Sequence, residues 1–386
     1  MVSALPVHPP RTSRRCPLPT RKPRILILAS DPFSASIRLA PFLDCLYFDG
    51  TIEGYCVVDR DLSPVGPHRF TDFTHVVAQR NPSSNQFRWL QAAKIPFCYD
   101  IDDLVTELPA RAHKRDETTR TRIAWCLDNA AAVTTPGGRL PAALEASTGI
   151  AFAARHVPLP NGLWPQAVDP ARWQQPARTL VWVSSDIPLI AMEAPRFAET
   201  VAAVAKDLSL TPLLIGRFAP ETLALFSQAR HIPRLDYADY RHLLGVIASP
   251  IAIAPLPIAA GRHQPFIDAK SDIKIVDFQG HGVPAIYSRA APYVGSDLAP
   301  PMLIDNDPDV WAEQLRRAVP EPGRLITQGG VDAIQRLRSY AVLAPTLLEA
   351  LDSAATSIPA PRPSLSGVAR RAEQSIRGIW RSVRGG

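Results

Sequence analysis

The sequence lacks the features that mark several classes of protein. Its 386 residues contain no uninterrupted apolar run of about 18 residues, the length that a membrane-spanning helix needs. It has no HExxH pattern, no CxxC pair and only scattered histidines, so no metal centre is expected. Residues 1–23 are basic and proline-rich but contain no apolar core segment, unlike a secretory signal. We therefore expect this lead-in to be disordered and the protein to have no membrane span.

The cysteines bear on the cellular compartment. There are five, an odd number, and all lie in the N-terminal third: Cys16, Cys45, Cys56, Cys98 and Cys126. Without paired spacing, they are expected to be reduced packing residues rather than a disulfide or zinc framework. This pattern predicts a cytoplasmic protein.

The positive charge is concentrated at the two ends of the chain. Residues 11–24 and 362–384 together carry more positive charge than the net +6 of the whole chain, so the middle has no excess of positive charge. A nucleic-acid-binding protein would carry its basic surface on the folded domain, so nucleic acid is not an expected partner. Residues 364–384 space apolar side chains at near-helical intervals between arginines, as in an amphipathic helix that touches the inner face of a membrane. A helix packed on the protein, or a solvated tail, is an equally good interpretation.

From residue 24 the chain alternates short apolar runs with helical stretches. The run RILILA at 24–29 is typical of a buried parallel strand. Further strands are predicted at 54–58, 75–78, 96–99, 132–134 and 156–159, and helices at 36–48, 85–93, 118–129 and 139–146. After the proline-rich stretch 158–176, a second series has strands at 179–183, 211–215, 250–254 and 283–287. Its helices are predicted at 194–208, 237–245 and 271–279, with a closing helix at 330–353.

This alternation predicts an α/β protein with two Rossmann-like, doubly wound domains that face a central cleft. The predicted boundaries are a basic lead-in at 1–23, an N-terminal domain at 24–160, a linker at 161–177, a C-terminal domain at 178–353 and a proline-rich break with a basic tail at 354–386. Ligands are expected in the cleft, at the carboxyl ends of the strands.

The most informative block follows the strand at 250–254. A helix that starts near Ser271 would place Lys270, Lys274, Asp277 and His281 on one face, since they are separated by four, three and four residues. A carboxylate on such a helix can accept hydrogen bonds from both hydroxyls of a ribose. Lysines near the first turn, beside free backbone N–H groups, suit a diphosphate. The glycines at 280 and 282 would end the helix and let the chain turn.

This block resembles the donor-binding segment of retaining GT-B glycosyltransferases of the family 4-like group. In that group an acidic residue on this helix precedes a Gly-x-Pro turn, matched here by Asp277 and by Gly282-Val-Pro284. The resemblance implies that Asp277 holds the donor ribose, with Ser271 and Gly282 beside the donor. It also implies a GT-B fold, a nucleotide-sugar substrate, no cofactor, no metal and retention of the anomeric configuration. Pro160-Asn161-Gly162 resembles the interdomain segment of the same group.

The block departs from the family pattern in two ways. The family pairs two glutamates eight positions apart, whereas this chain has Ala269 at the earlier position, with Asp268 beside it. The Arg and Lys that the family carries after the first strand of the C-terminal domain are also absent from residues 183–187. We therefore assign Asp268, Lys270 and Lys274 to catalysis, and expect Arg217 to assist in binding the diphosphate.

The acceptor is expected on the N-terminal domain. Residues 36–41 and 99–104 resemble N-terminal segments of a subset of the family that acts in cell-surface polysaccharide synthesis. Asp102 and Asp103 follow a predicted strand, so they would lie at the mouth of the cleft, and Arg38 in the first helix could reach an anionic group. The alternatives are a helix-capping cluster for the aspartates and a surface salt bridge for Arg38.

Together these patterns predict a glycosyltransferase that moves a sugar from a nucleotide-sugar to a glycan, lipid-linked or other hydroxyl acceptor. Three alternatives remain open. A catalytically silent GT-B-like module that binds nucleotide or glycan in a polysaccharide assembly complex would account for the missing glutamate. A nucleotide-sugar epimerase would share the fold. An adaptor that binds a membrane or nucleic acid through its basic tails would lose its partner when those tails are removed.

Overall fold

A computed structural model describes residues 22–29, 31–62, 72–93, 95–108, 116–184 and 189–356. Most of the predicted lead-in, the whole tail from residue 357 and Cys16 lie outside this part of the chain. The other four cysteines are free thiols. In the ranges given, no helix is both long enough and apolar enough to cross a membrane.

The N-terminal half contains a parallel six-stranded sheet. Its strands are β1 (Arg24–Ala29), β2 (Gly54–Val58), β3 (His75–Gln79), β4 (Cys98–Asp100), β5 (Ala132–Thr135) and β6 (His156–Pro158), in the order β2-β1-β3-β4-β5-β6. Its helices are α1 (Pro32–Arg38), α2 (Ala40–Phe48), α3 (Ser84–Ala93), α4 (Asp116–Asn129) and α5 (Leu140–Thr148). All strand pairs are parallel, and β1 is buried between two neighbours along nearly its whole length, as its continuous apolar run predicts.

The C-terminal half repeats this architecture. Its strands are β7 (Thr179–Ser184), β8 (Thr211–Gly216), β9 (Arg230–Ile232), β10 (Pro250–Ala254), β11 (Ala285–Ser288) and β12 (Leu303–Ile304), in the order β12-β11-β10-β7-β8-β9. The helices are α6 (Phe197–Asp207), α7 (Pro220–Leu225), α8 (Tyr237–Val246), α9 (Gln264–Asp268), α10 (Ile273–Gly280), α11 (Ala291–Val294) and α12 (Pro308–Ala318). Two parallel, doubly wound sheets confirm the predicted α/β class.

The end of the chain differs from the prediction. The expected closing helix is two helices, α13 (Gln328–Arg338) and α14 (Tyr340–Thr356), separated by Ser339 in an extended conformation. Tyr340 and Leu347 of α14 are buried in the same apolar cluster as Ile25 and Ile27 of β1. The predicted C-terminal domain of 178–353 is therefore wrong at its end, because α14 packs on the N-terminal sheet.

A second element joins the two halves. The short helix α9 belongs to the C-terminal half by sequence, but Phe266 and Ile267 are 2% and 0% exposed within an apolar cluster of the N-terminal half. Their neighbours in that cluster include Leu104, Leu140 and Leu144. Because this contact buries two large apolar side chains, it holds the halves together by hydrophobic burial.

Candidate functional site

The carboxyl ends of the two sheets face each other. Asp103, which follows β4, lies 3.7 Å from Lys270 Nζ across the gap between the halves. Phe33, which follows β1, lies under the guanidinium of Arg234, which follows β9, at 5.9 Å from the ring centroid. These contacts locate the predicted cleft at the strand ends, where ligands bind in open α/β sheets.

Asp277 lies on α10, one turn after Lys274, and its side chain is 1% exposed. Its Oδ1 accepts hydrogen bonds from Tyr237 Oη at 2.9 Å and from Arg241 Nη2 at 3.2 Å. Its Oδ2 is buried without a hydrogen-bond partner and lies 3.9 Å from Lys274 Nζ. The carboxylate is thus covered by protein groups, and Lys274 supplies the cation beside its Oδ2.

Arg241, on α8, carries most of the hydrogen bonds around Asp277. Besides the carboxylate, its guanidinium donates to Tyr340 Oη and to the backbone oxygen of Gly162, both at 2.7 Å. It also lies over the ring of Tyr237, 4.2 Å from the centroid. The sequence prediction missed this arginine, although Tyr237 and Arg241 are four residues apart and so share one face of α8.

Lys274 is placed beside aromatic rings. Its Nζ lies 5.1 Å from the ring centroid of Tyr240 and 3.4 Å from the hydroxyl of the same residue. Burial lowers the pKa of Lys274 below the ordinary value of a lysine, while the nearby Asp277 carboxylate opposes that change. The Lys274 side chain is 25% exposed, so this cation beside a carboxylate can receive an anionic ligand.

Lys270 and Ser271 do not belong to α10. The helix begins at Ile273, and both residues lie in the turn after α9. Lys270 sits over the ring of Phe266, with its Nζ 4.3 Å from the centroid, and pairs with Asp103 across the cleft. The predicted common helix face therefore holds for Lys274 and Asp277 but not for Lys270, because the chain turns between α9 and α10.

Asp268 links the two halves. Its carboxylate accepts hydrogen bonds from Arg139 Nη1 at 2.8 Å and from Gln264 Nε2 at 2.6 Å, and its side chain is 22% exposed. Arg139 immediately precedes α5 of the N-terminal half. Asp268 is therefore part of an interdomain ion pair in this structure.

Gly282 lies at the end of α10 that is remote from the cleft. A helix of eight residues is about 12 Å long, and Gly282 follows it at the amino edge of the sheet, before β11. Its φ is +69°, and a Cβ there would come within 2.1 Å of Val168 Cγ1 in the linker. The predicted donor contact of Gly282 is therefore corrected to a packing role against the linker.

His281 caps the same end of α10. Its Nδ1 is hydrogen-bonded to the backbone oxygen of Asp277 at 2.7 Å, and burial lowers the pKa of His281 to about 4. The imidazole is therefore neutral at physiological pH and serves a structural role. Arg217, by contrast, is exposed immediately after β8, at the carboxyl edge of the C-terminal sheet.

The N-terminal side of the cleft carries a mixed charge cluster. Arg80 donates to Ser34 Oγ at 3.0 Å and lies 3.4 Å from the carboxylates of Asp102 and Asp103. The two aspartates are 24% and 17% exposed, so their oxygens remain within reach of a ligand. Arg80 has a φ of +60°, which is uncommon for a residue other than glycine, and the sequence prediction did not single it out.

Arg38 does not reach the cleft. Its side chain is 1% exposed, its Nε lies 3.3 Å from Asp100 Oδ1, and its Nη1 donates to the backbone oxygen of Pro160 at 3.3 Å. Burial raises the pKa of Asp100 to about 6, against the attraction of Arg38. The predicted acceptor contact of Arg38 is therefore corrected to a buried ion pair beneath α1.

The loop after β10 presents backbone N–H groups at the cleft, and side chains of the protein already accept from them. Glu193 Oε2 accepts from the backbone N–H groups of Ile258 at 2.5 Å and Ala259 at 3.2 Å. Ser288 Oγ accepts from Leu256 in the same way, at 2.8 Å. A ligand oxygen at these positions would replace Glu193. Across the described ranges, no group of three or more His, Cys, Asp or Glu side chains is arranged to hold a metal ion.

Comparisons with known proteins relate this architecture to solved structures. The sequence matches no protein-family model, and no curated protein matches it. The structure is similar to that of HepE from Anabaena in complex with UDP and glucose, with a TM-score of 0.55 and 12% identity over 86% of this chain and 100% of that one. It is also similar to a candidate UDP-N-acetylglucosamine 2-epimerase from Listeria monocytogenes, with a TM-score of 0.51 and 11% identity over 88% and 99% of the two chains.

A further similar structure is that of WaaG, a glycosyltransferase involved in lipopolysaccharide biosynthesis. Its TM-score is 0.50 and its identity 13%, over 91% of this chain and 99% of that chain. At such identities the likeness concerns the fold alone. The predicted GT-B fold is thereby confirmed: two Rossmann-like domains with a cleft between the carboxyl ends of their sheets.

Proposed function

We propose that the protein is a glycosyltransferase that takes a sugar from a nucleotide-sugar bound to its C-terminal domain. The observation that carries the proposal is the Asp277 carboxylate 3.9 Å from Lys274 Nζ, on helix α10, which precedes β11. This juxtaposition suits a ribose hydroxyl next to a phosphate. The fold supports it, since HepE, which has the same fold, was solved with UDP and glucose.

In the proposed reaction the nucleoside diphosphate leaves as negative charge builds up on its phosphate oxygens. Lys274, Lys270 and the exposed Arg217 would stabilise that charge without a metal. Asp102, Asp103 and Arg80 would hold the acceptor hydroxyl on the opposite side of the cleft. We propose retention of configuration from the sequence resemblance, and a glycan or lipid-linked acceptor on the same basis.

Binding is the first test of the donor site. The purified protein would be titrated with a panel of nucleotide-sugars and nucleoside diphosphates while its thermal unfolding is followed, together with Asp277→Asn. A ligand present at 100 times its Kd stabilises a protein by about 2.7 kcal/mol. We expect one nucleotide to raise the Tm of the wild type and to lose this effect in Asp277→Asn. If no ligand raises the Tm, the donor site is not at Asp277.

The asparagine variant is the appropriate one, because asparagine keeps an oxygen that can accept from Arg241, whereas alanine removes this acceptor and leaves a cavity beside the guanidinium. Asp207→Asn, at the end of α6, makes the same chemical change at an exposed ion pair with Arg316 and provides the control. It should retain the nucleotide response of the wild type. Turnover would then be measured with candidate acceptors, and the anomeric configuration of the product would decide between retention and inversion.

The second candidate is a catalytically silent GT-B-like module that binds a nucleotide or glycan. The observation in its favour is that the groups at the cleft already bind each other, through the pairs of Asp277 with Arg241, Asp268 with Arg139 and Lys270 with Asp103. This module would bind a nucleotide without consuming the sugar donor. An epimerase would instead convert the donor in the absence of any acceptor.

We also propose that the protein is cytoplasmic and contacts the inner face of the membrane. The cysteine pattern supports a cytoplasmic protein, and the basic residues of 362–384 support peripheral contact with an anionic membrane surface. Sedimentation with vesicles that contain anionic lipids, compared for the full chain and a chain ending at residue 356, tests this contact. Equal sedimentation of the two forms would contradict it.

A further inference from the structure

The chain passes between the two domains at two neighbouring segments. The first lies around Leu163 in the linker, and the second lies at Ser339, between α13 and α14. The segments pair as a short parallel bridge, in which Leu163 N donates to Arg338 O at 2.7 Å and Tyr340 N donates to Leu163 O at 3.0 Å. We call this paired region, around Leu163 and residues 338–340, the joint. Any change in the angle between the domains must alter the joint.

A single side chain connects both segments of the joint to the proposed donor carboxylate. Arg241 donates through Nη2 to Gly162 O and through Nη1 to Tyr340 Oη, and Nη2 also lies 3.2 Å from Asp277 Oδ1. Arg241 is 6% exposed, so solvent does not compete for these hydrogen bonds. The planar guanidinium can serve these partners at once because its five N–H groups are held in a rigid fork.

The joint is tightly packed around Arg241. A Cβ on Gly162 would lie 2.5 Å from Tyr340 Cδ1, so the linker can approach the tyrosine ring only as glycine. On its other side, Tyr340 meets Phe42 of α2 edge-on, with ring centroids 4.9 Å apart. Tyr340 therefore moves with the N-terminal domain, whereas Arg241 and Asp277 move with the C-terminal domain.

We propose that Arg241 is a positioning residue that couples nucleotide binding at Asp277 to the angle between the two domains. This inference rests on the proposed function. A ligand hydroxyl that bonds the Asp277 carboxylate draws negative charge toward itself and so weakens the hydrogen bond between Oδ1 and Arg241, and Arg241 transmits this change to Gly162 and Tyr340. By thermodynamic reciprocity, the domain angle must then alter nucleotide affinity by the same factor.

The test removes one hydroxyl group. Tyr340→Phe deletes the acceptor for Arg241 Nη1 but leaves the ring on Phe42 and leaves Asp277 unchanged. Tyr55→Phe is the control, because it also removes a single tyrosine hydroxyl from a hydrogen bond, in this case one that donates to Asp44 Oδ1 at 2.6 Å, outside the joint. The Kd of UDP and of UDP-glucose would be measured by calorimetry, and the radius of gyration by X-ray scattering with and without the ligand.

We expect Tyr340→Phe to change the Kd by at least about fivefold and to lose the change in radius of gyration that the ligand causes in the wild type. Tyr55→Phe should behave like the wild type in both measurements. A merely structural tyrosine would lower the Tm of Tyr340→Phe and leave both the Kd and the scattering response intact. That result would overturn the proposal.

A second measurement needs no ligand, so it separates this inference from the proposed function. In the described structure no hydrogen bond joins Tyr340 to Asp277 directly, and Arg241 alone bonds both. The effects of Tyr340→Phe and Asp277→Asn on the unfolding midpoint should therefore be non-additive in the double variant. Additive effects would overturn the coupling through Arg241. If instead the two effects are non-additive and no nucleotide binds the wild type, the proposed donor function fails, while the link between Tyr340 and Asp277 through Arg241 stands.

Discussion

The buried pair of Asp277 and Arg241 makes a strong prediction at the scale of single residues. Asp277→Ala leaves the guanidinium of Arg241 buried without its carboxylate, which should lower the free energy of unfolding by about 3–5 kcal/mol. Asp268→Ala, the control, removes an ion pair whose arginine is 66% exposed, and should cost less than about 1 kcal/mol. Urea denaturation followed by tryptophan fluorescence measures both. Equal small losses would mean that water reaches Arg241.

The buried carboxyl of Asp100 should make the free energy of unfolding depend on pH. Burial raises its pKa from the ordinary value of 3.8 to about 6, so the folded protein holds this proton more tightly than the unfolded chain does. The stability that the proton contributes is present at low pH and is lost as the pH rises through about 6. A difference of about two pKa units between the folded and unfolded states corresponds to roughly 3 kcal/mol.

The comparison that isolates Asp100 is with Asp100→Asn, which cannot titrate at this position. Between about pH 4 and pH 7, the wild type should lose roughly 2–3 kcal/mol of unfolding free energy relative to the variant. Guanidinium denaturation at several pH values measures this difference. A difference that stays constant across the range would show that the carboxyl of Asp100 is ionised throughout.

Contacts between residues of one helix could be predicted from the sequence, whereas contacts between distant segments could not. The spacing of Lys274 and Asp277 places them one turn apart on a helix, and their side chains do lie 3.9 Å apart. Arg241 and Tyr340 are 36 and 63 residues from Asp277, and no local pattern reports which distant side chain fills a buried position. Arg38 was misplaced for the same reason, since its partner Asp100 lies on strand β4, 62 residues away.

At the scale of elements, most strands and helices followed from apolar periodicity, because buried parallel strands read as continuous apolar runs. The strands β9 and β12 were missed, since three and two residues are too few to show a pattern. Helix α12 was also missed, although Asp307 before Pro308 is a helix-start signal and Asp307 does cap its first turn. The packing of α9 against the opposite domain could not be read from sequence.

That packing leads to a prediction about α9. Phe266→Ala opens a cavity in the contact between the domains and should lower the free energy of unfolding by about 3–5 kcal/mol. Because the cavity weakens a contact between the two domains, the variant should also have a larger radius of gyration in X-ray scattering. Leu225→Ala removes a leucine that is 42% exposed on α7, and should change neither quantity measurably. A destabilised Phe266→Ala protein of unchanged radius would show that other contacts fix the domain angle.

At the scale of the whole molecule, the last described helix completes the first domain. Leu347 of α14 is fully buried against the core formed by β1 and α2, although more than 300 residues separate it from β1. Leu347→Asp buries a carboxylate in that core and should therefore unfold the N-terminal sheet before the C-terminal one. Val342→Asp, on the same helix but 57% exposed, is the matched control.

Native-state hydrogen exchange distinguishes the domains, since it reports the opening of each cooperative unit separately. In Leu347→Asp the amides of β1 and β3 should lose protection by several orders of magnitude, whereas those of β7 and β10 keep more of theirs. Val342→Asp should retain the protection pattern of the wild type. Equal loss in both sheets would mean that α9, α14 and the Arg241 joint bind the two domains into one cooperative unit. The domain angle would then change only through the joint, without separate opening of either domain.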